Sequence, residues 1–286
     1  MFLPLFLLQT SAAVPVTTLT GTFRNPRLIE SSGVAVSRAH RALLWTHNDS
    51  GDAPYLYATD LRGTDRGVVR VSGAEAVDWE DLALGLCPDR SGDCLYIADT
   101  GDNLQRRPSV KVYVLREPVP PSSAADTKRS AGSRVLSLRY PDGPKDVEAL
   151  YVSPRDTAVY LVSKGRSGAI RLYRVDRTAW GATRPVTATL VQTLPILPDA
   201  SAGRLVTGAA VRSDGGLVAI RTYTEIYFFS PGPGGRLTPT SRRVCSIAGL
   251  ERLGEGIAFR DDSTLVLTSE SDLLGPGTLH TARCRP

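Results

Sequence analysis

Ser32, Glu80, Glu148, Thr207 and Glu255 occupy one place in five copies of a short phrase, each a polar residue two positions ahead of an apolar run. The fullest copy reads Val77-Asp78-Trp79-Glu80-Asp81-Leu82-Ala83-Leu84. Residues 145–152 and 253–259 are close variants, and residues 30–36 and 206–211 weaker ones. If the fold brings the three glutamates within about 6 Å, each pair repels by roughly 3 kcal/mol at an effective dielectric near 20. A cation, shared protons or basic side chains must then neutralise them. Calcium suits such a set, because it takes oxygen ligands from carboxylates, hydroxyls and water in tolerant geometry. Zinc does not, since the chain has only 3 histidines and no C-x-x-C spacing. The competing reading is an internal ion-pair network in which Lys164 and Arg221 reach the glutamates.

A second group falls at the ends of the predicted second strands: His47, Asn48 and Asp49, then Asp99, Lys164, Arg221 and Glu270. In a metal-dependent hydrolase of phosphoryl or ester substrates, Lys164 and Arg221 would bind an anion, and His47 or Asp99 would move protons. The plainer readings are a hydrogen-bonded loop histidine, and turn-forming aspartates at positions 49, 52, 99 and 102. Asn48-Asp49-Ser50 is a glycosylation sequon, a common signal. No G-x-S-x-G elbow, Walker A loop, H-E-x-x-H or G-x-G-x-x-G is present, which disfavours nucleophile-elbow hydrolysis.

Equivalent residues of a repeat meet around an axis when the repeat forms a ring. Each phrase opens a series of alternating or β-branched runs divided by Gly, Pro, Asp and Asn turns, hence strands. Four units supply four strands each, while the last supplies three. Residues 16–23 alternate like a strand and precede the first phrase as a fourth strand precedes the others, so they should close the last blade and remove an open edge. The expected fold is all-β: a β-propeller of five blades, each of four antiparallel strands. Six blades is the rival, because the Pro/Ser/Ala-rich insertion at residues 117–132 could hide a degenerate one.

The chain has 286 residues and a formal net charge of +5, carried by scattered arginines without an aromatic-interleaved basic stripe. Nucleic-acid binding is therefore not expected. No run approaches the roughly 20 apolar residues of a membrane span. Residues 1–13 read as a signal peptide, an apolar segment followed by small residues, although a basic start is missing. Residues 14–286 should form a single domain, secreted or periplasmic and monomeric, acting on a small-molecule or anionic substrate. The 4 cysteines suit an oxidising compartment. Cys87 and Cys94 bracket a turn-rich loop, which leaves Cys245 to pair with Cys284.

Several stretches resemble a family of exported bacterial proteins grouped with TolB-like propellers, a family without established biochemistry. They are Trp45-Thr46-His47-Asn48-Asp49-Ser50-Gly51-Asp52, Asp78-Trp79-Glu80-Asp81, Ile97-Ala98-Asp99-Thr100-Gly101-Asp102-Asn103 and Asp146-Val147-Glu148-Ala149-Leu150. A looser likeness is to the soluble calcium-activated nucleotidases (apyrases), which are five-bladed. It implies an axial calcium held by Ser32, Glu80, Glu148, Thr207 and Glu255, with threonine substituting at one place. Six-bladed lactonases and phosphotriesterases share that plan. The alternative to a hydrolase is a non-catalytic ligand- or protein-binding propeller with a structural ion or an internal salt-bridge network.

Overall fold

A computed structural model describes residues 16–240 and 244–284, so the leader expected over residues 1–13 lies outside the described residues. Five antiparallel sheets stand in a ring, each starting from an inner strand that carries one copy of the phrase. The first blade is β2 (Ser31–Val36), β3 (Leu44–Asn48), β4 (Tyr55–Thr59) and β5 (Val68–Ser72). The second is β6 (Trp79–Leu86), β7 (Asp93–Asp99), β8 (Val110–Arg116) and β10 (Arg134–Arg139). The third is β11 (Val147–Val152), β12 (Val159–Ser163), β13 (Arg171–Val175) and β15 (Thr189–Thr193). In the fourth, β16 (Val206–Val211), β17 (Val218–Thr222) and β18 (Glu225–Pro231) are followed by two short pieces that both pair with β18, β19 (Leu237–Pro239) and β20 (Cys245–Ser246). The fifth is β21 (Gly254–Phe259), β22 (Leu265–Ser269) and β23 (Thr278–Arg283).

The strand missing from the fifth blade comes from the start of the chain, as expected. β1 (Val16–Thr22) pairs antiparallel with β23, from Val16 opposite Arg283 to Thr22 opposite Thr278. The ring has five blades, and the insertion hides no sixth. It instead contributes β9 (Thr127–Gly132), which adds a parallel fifth strand to the outside of the first blade. β14 (Val186–Thr187) extends the second blade in the same way. Blades thus hold four or five strands.

Inner strands are buried along almost their whole length, because a neighbouring blade covers each face. Large side chains fill the gaps between blades: Trp45 packs with Trp79 and Tyr113, and Tyr96 meets Trp180 edge-on. Tyr151 stacks on Tyr160 with ring centroids 4.8 Å apart. Both expected disulfides are present, Cys87–Cys94 with Cα atoms 4.9 Å apart and Cys245–Cys284 with 5.8 Å. The second fastens the edge of the fourth blade to the end of β23. Both fit an extracellular or periplasmic setting. Among the described residues no helix is long and apolar enough to cross a membrane.

One irregularity recurs five times. The pairing of every inner strand with its neighbour slips between residues 31 and 34, 79 and 81, 147 and 149, 206 and 208, and 254 and 257. Ser32, Glu80, Glu148, Thr207 and Glu255 each sit inside such a bulge. An unpaired bulge residue re-aims its side chain while the ladder continues beyond it. That is how one polar residue per blade is presented at the same level of the ring.

Candidate cation centre at the channel mouth

The five ring residues are buried, but they do not form one symmetric ligand set. Ser32 donates its hydroxyl to the backbone carbonyl of Glu80, and Thr207 donates to that of Glu255 at 3.2 Å. Both hydroxyls therefore tie one inner strand to the next. Glu255 belongs to neither carboxylate group, although Glu148 and Lys164 both act on it, and its Oε2 is buried without a hydrogen-bond partner among the described residues. Glu80 and Glu148 come together, and three further acids join them.

The carboxylates of Glu80, Asp146 and Glu148 offer oxygens that all lie within 4.8 Å of one another, and so do those of Asp49, Asp78 and Glu80. Glu80 belongs to both groups, so five acids from three blades share one centre. Asp49 reaches it from the loop after β3. Asp78 and Asp146 each lie two residues before a ring glutamate, giving Asp78-Trp79-Glu80 and Asp146-Val147-Glu148. That D-x-E repeat is the sequence signal for the two added aspartates, and the glutamate column alone does not carry it.

Burial, then the neighbouring Asp78 and Glu148, pushes Asp49 up to about 8. Burial pushes Glu148 up to about 7, against the pull of Lys164. Glu80 is driven well above the usual carboxylate range by burial and then by Glu148 and Asp49. Burial and mutual repulsion thus favour the protonated forms of these acids wherever no cation neutralises them. Asp49 Oδ1 is buried with no hydrogen-bond partner among the described residues, an orphaned acceptor on a residue of the cluster. Gly101 backs the site so closely that a Cβ there would overlap the carboxylates of Glu80 and Asp78.

Basic side chains frame the acids on two sides. Lys164 Nζ lies 2.7 Å from Glu148 Oε1. Burial alone would lower its pKa, but Glu148, Tyr223 and Glu255 outweigh that and raise it. Arg166 Nε holds Asp146 Oδ2 at 2.7 Å, and Arg107 Nη2 holds Asp99 Oδ1 at 2.8 Å. Asp99 in turn accepts the backbone N–H of Asp78 at 3.3 Å. Asp99 therefore sits one layer behind the cluster as a positioning acid.

Arg221 lies elsewhere. Fully buried, it is ion-paired to Glu251 and donates to the carbonyls of Gly256 at 2.7 Å and Thr268 at 3.1 Å. A Cβ at position 254 would collide with its guanidinium, so glycine there makes room for it. Glu251 also accepts from His280 Nδ1 at 3.0 Å. His47 is likewise fully enclosed, edge-on to Trp79 at 5.4 Å between centroids, with Nδ1 2.8 Å from the Asn48 carbonyl. Burial holds it down at about 4, so it is neutral at ordinary pH. The Asn48 amide of the sequon is buried too, hydrogen-bonded in the folded chain to Arg27, Ile29, Glu30 and Asp52.

No family model matches the chain, and no curated protein matches it. Among solved structures, the β-propeller domain of Cps50 (Swd1) from Myceliophteria thermophila is 13% identical, with 94% of this chain and 100% of that one covered, at a TM-score of 0.43. A nidogen/laminin complex is 12% identical over 85% of this chain and 72% of that one, at a TM-score of 0.45. At these identities nothing about function passes from either. The fold and site together define a five-bladed β-propeller with an acidic channel mouth. Neither the TolB-like nor the nucleotidase resemblance gains support from a matching family.

Proposed function

We propose that this protein is a divalent-cation-binding β-propeller, with calcium held by Asp49, Asp78, Glu80, Asp146 and Glu148. The observation that carries the reading is the pair of overlapping carboxylate groups with an orphaned buried oxygen between blades. The donor set is all oxygen, which fits calcium and not zinc. Six acids, Asp99 included, face Arg107, Arg166 and Lys164. One divalent ion or two shared protons would offset the excess equally, so the cation competes with protons and not with the existing ion pairs. Lys164 pairs with Glu148 and Arg166 with Asp146, which leaves Asp49, Asp78 and Glu80 without an ion pair among the described residues. The ion's role is to fasten three blades at their inner edges, in a protein that serves as a binding module.

The test is thermal unfolding in chelator and then in excess calcium. Saturation at about a hundred times Kd should add about 2.7 kcal/mol and raise the midpoint by about 5–10 °C. Asp146→Asn and Glu80→Gln should blunt the response. Absence of any shift with calcium, magnesium or manganese would overturn the reading.

A second reading is favoured by one observation. The side chains of Arg166 and Arg107 are 39% and 21% exposed beside the carboxylates, where an anionic substrate bridging to the ion would meet them. Such an enzyme would use the cation to polarise a phosphoryl or carbonyl oxygen. Calcium-dependent turnover of aryl phosphates, nucleoside diphosphates or lactones, lost in Asp146→Asn, would establish it. A calcium-stabilised but inert protein is the result expected of the binding module.

A further inference from the structure

Strand direction alternates within each blade, so the loops before inner strands and those between second and third strands all open on the face of the carboxylates. Exposed apolar side chains gather in these loops. Among the described residues twelve large ones are exposed, and seven of them lie here. Four others are on strands, and Val119 is in a loop of the opposite face. Single exposed leucines are ordinary, but a set confined to one face marks an interaction surface.

The tips are held outward by tight local structure. Asp272 and Gly275 close a turn on each other, and the Leu274 N–H donates to Asp272 Oδ1 at 2.7 Å. Leu273 and Leu274 at its apex are 105% and 78% exposed. Arg252 braces the turn through Asp272 at 3.1 Å, and the Ser271 N–H on the Ile29 carbonyl sets exposed Ile29 beside its base. Leu197 stands between Pro195 and Pro198, and Pro198 abuts Gly165, the residue after Lys164. Leu104 follows Asn103, which accepts from Arg166 at 2.7 Å, and Val77 directly precedes Asp78. The apolar tips therefore stand around the carboxylate centre, spaced about the ring, an arrangement that meets a flat surface at several points at once.

Charge on this face is layered. Glu80, Asp146 and Glu148 are buried, and the exposed acids Glu75 and Asp142 are already paired with Lys111 and Arg171. Arg27 and Arg106 are exposed and have no ion pair among the described residues. The outermost uncompensated charge is thus positive, between apolar tips. A bilayer with anionic headgroups is flat, negative at its surface and apolar beneath.

We propose that this face docks on an anionic phospholipid membrane. Leu273, Leu274 and the other tips enter the acyl boundary, while Arg27, Arg106 and the bound cation meet headgroup phosphates. The cation's share rests on the calcium centre proposed above, and the share of the tips does not.

The test is flotation with vesicles of phosphatidylcholine, alone or with about one third phosphatidylglycerol, in calcium and in chelator. The mixed vesicles should carry the protein in calcium, and chelator or the removal of phosphatidylglycerol should weaken binding by about tenfold. Leu273→Ser with Leu274→Ser should weaken it by about tenfold or more, with the thermal response to calcium unchanged. Val119→Ser, on the opposite face, should alter neither. Absence of binding to the mixed vesicles in calcium overturns the proposal, and so does binding unchanged in the leucine variant. A dimer that the leucine variant abolishes, without vesicle binding, would assign the face to a second copy of this chain and overturn it too. Vesicle binding that needs the leucines, by a protein whose stability ignores calcium, would uphold the docking and overturn the cation centre alone.

Discussion

The carboxylate of Asp81 accepts the backbone N–H of Ala209 at 3.2 Å, across 128 residues of chain and across the central channel. The same Oδ2 takes the N–H of Leu150 at 2.8 Å, while Oδ1 takes that of Leu82 at 2.8 Å. One wholly buried side chain therefore joins the inner strands of the second, third and fourth blades. Replacing an oxygen by an amide would leave buried N–H groups facing another donor. Asp81→Asn should cost about 2–4 kcal/mol, seen as a lower urea midpoint at unchanged slope. A loss below about 0.5 kcal/mol would show that the bridge is not needed.

Cation binding should be sensitive to the wall behind the acids as well as to the acids. Gly101→Ala would push a methyl group into the carboxylates of Glu80 and Asp78. It should lower calcium affinity by about tenfold or more, because displaced ligands cannot meet the ion's bond-length range. Glu255→Gln, outside both carboxylate groups, should change it by less than about twofold. Equal effects from the two variants would return the ion to the symmetric axial ring.

Lys164→Met should destabilise the chelated protein by about 3–5 kcal/mol, since it leaves Glu148 buried without its partner. Adding Glu148→Gln should restore most of that loss. Denaturant titration of both singles and the double gives the coupling directly, and additive losses would mean that the pair is not an interacting unit.

Much of this architecture could be read from the chain. The five phrases announced a ring, the unpaired run at residues 16–23 announced its closure, and Cys87 and Cys94 announced a closed loop. The centre was half legible. Glu80 and Glu148 stood out as repeats, whereas Asp49 belongs to a loop whose approach only the folded blades define. Asp81 was masked for a different reason. The matching positions in the other copies are Gly33, Ala149, Gly208 and Gly256, small residues that leave the channel room for one longer side chain. The informative feature was the exception to the repeat. β9 was invisible because its partner strand lies more than fifty residues earlier and its own sequence is polar and exposed.

The two disulfides should differ in weight. By loop-closure entropy, the separation of 39 residues between Cys245 and Cys284 is worth about 4 kcal/mol, and the 7 residues between Cys87 and Cys94 about 2 kcal/mol. Paired serine substitutions, compared by thermal unfolding under oxidising conditions, should rank in that order. The reverse ranking would locate the least stable part of the ring outside its closure.

Glu270 sets a further pH dependence beside the carboxylate centre, close enough to act on Asp49 and Glu255. Burial first, and then Glu30, raises it to about 6 from an ordinary value of 4.5. The folded state therefore holds the proton more tightly than the unfolded one, and stability falls as pH rises from 4.5 to 6. The shift corresponds to about 2 kcal/mol, reduced to about 1 kcal/mol by its partial exposure to solvent. Glu270→Gln mimics the neutral form, so its stability in chelator should fall less than that of the wild type across this window. Parallel profiles would remove Glu270 from the account.

The closing strand has a consequence for how the protein is made. Thr20 and Leu279, joined by a hydrogen bond, are separated by 259 residues. A ribosome delivers the first of these long before the second, and β1 has no sheet to join until β23 has emerged. Blades one to four can assemble in order of synthesis, each on the one before. The fifth must wait until β23 has emerged, and until then the ring is an open arc with two bare edges. Emergence of β23, and not the folding of any one of the first four blades, is what allows the ring to close.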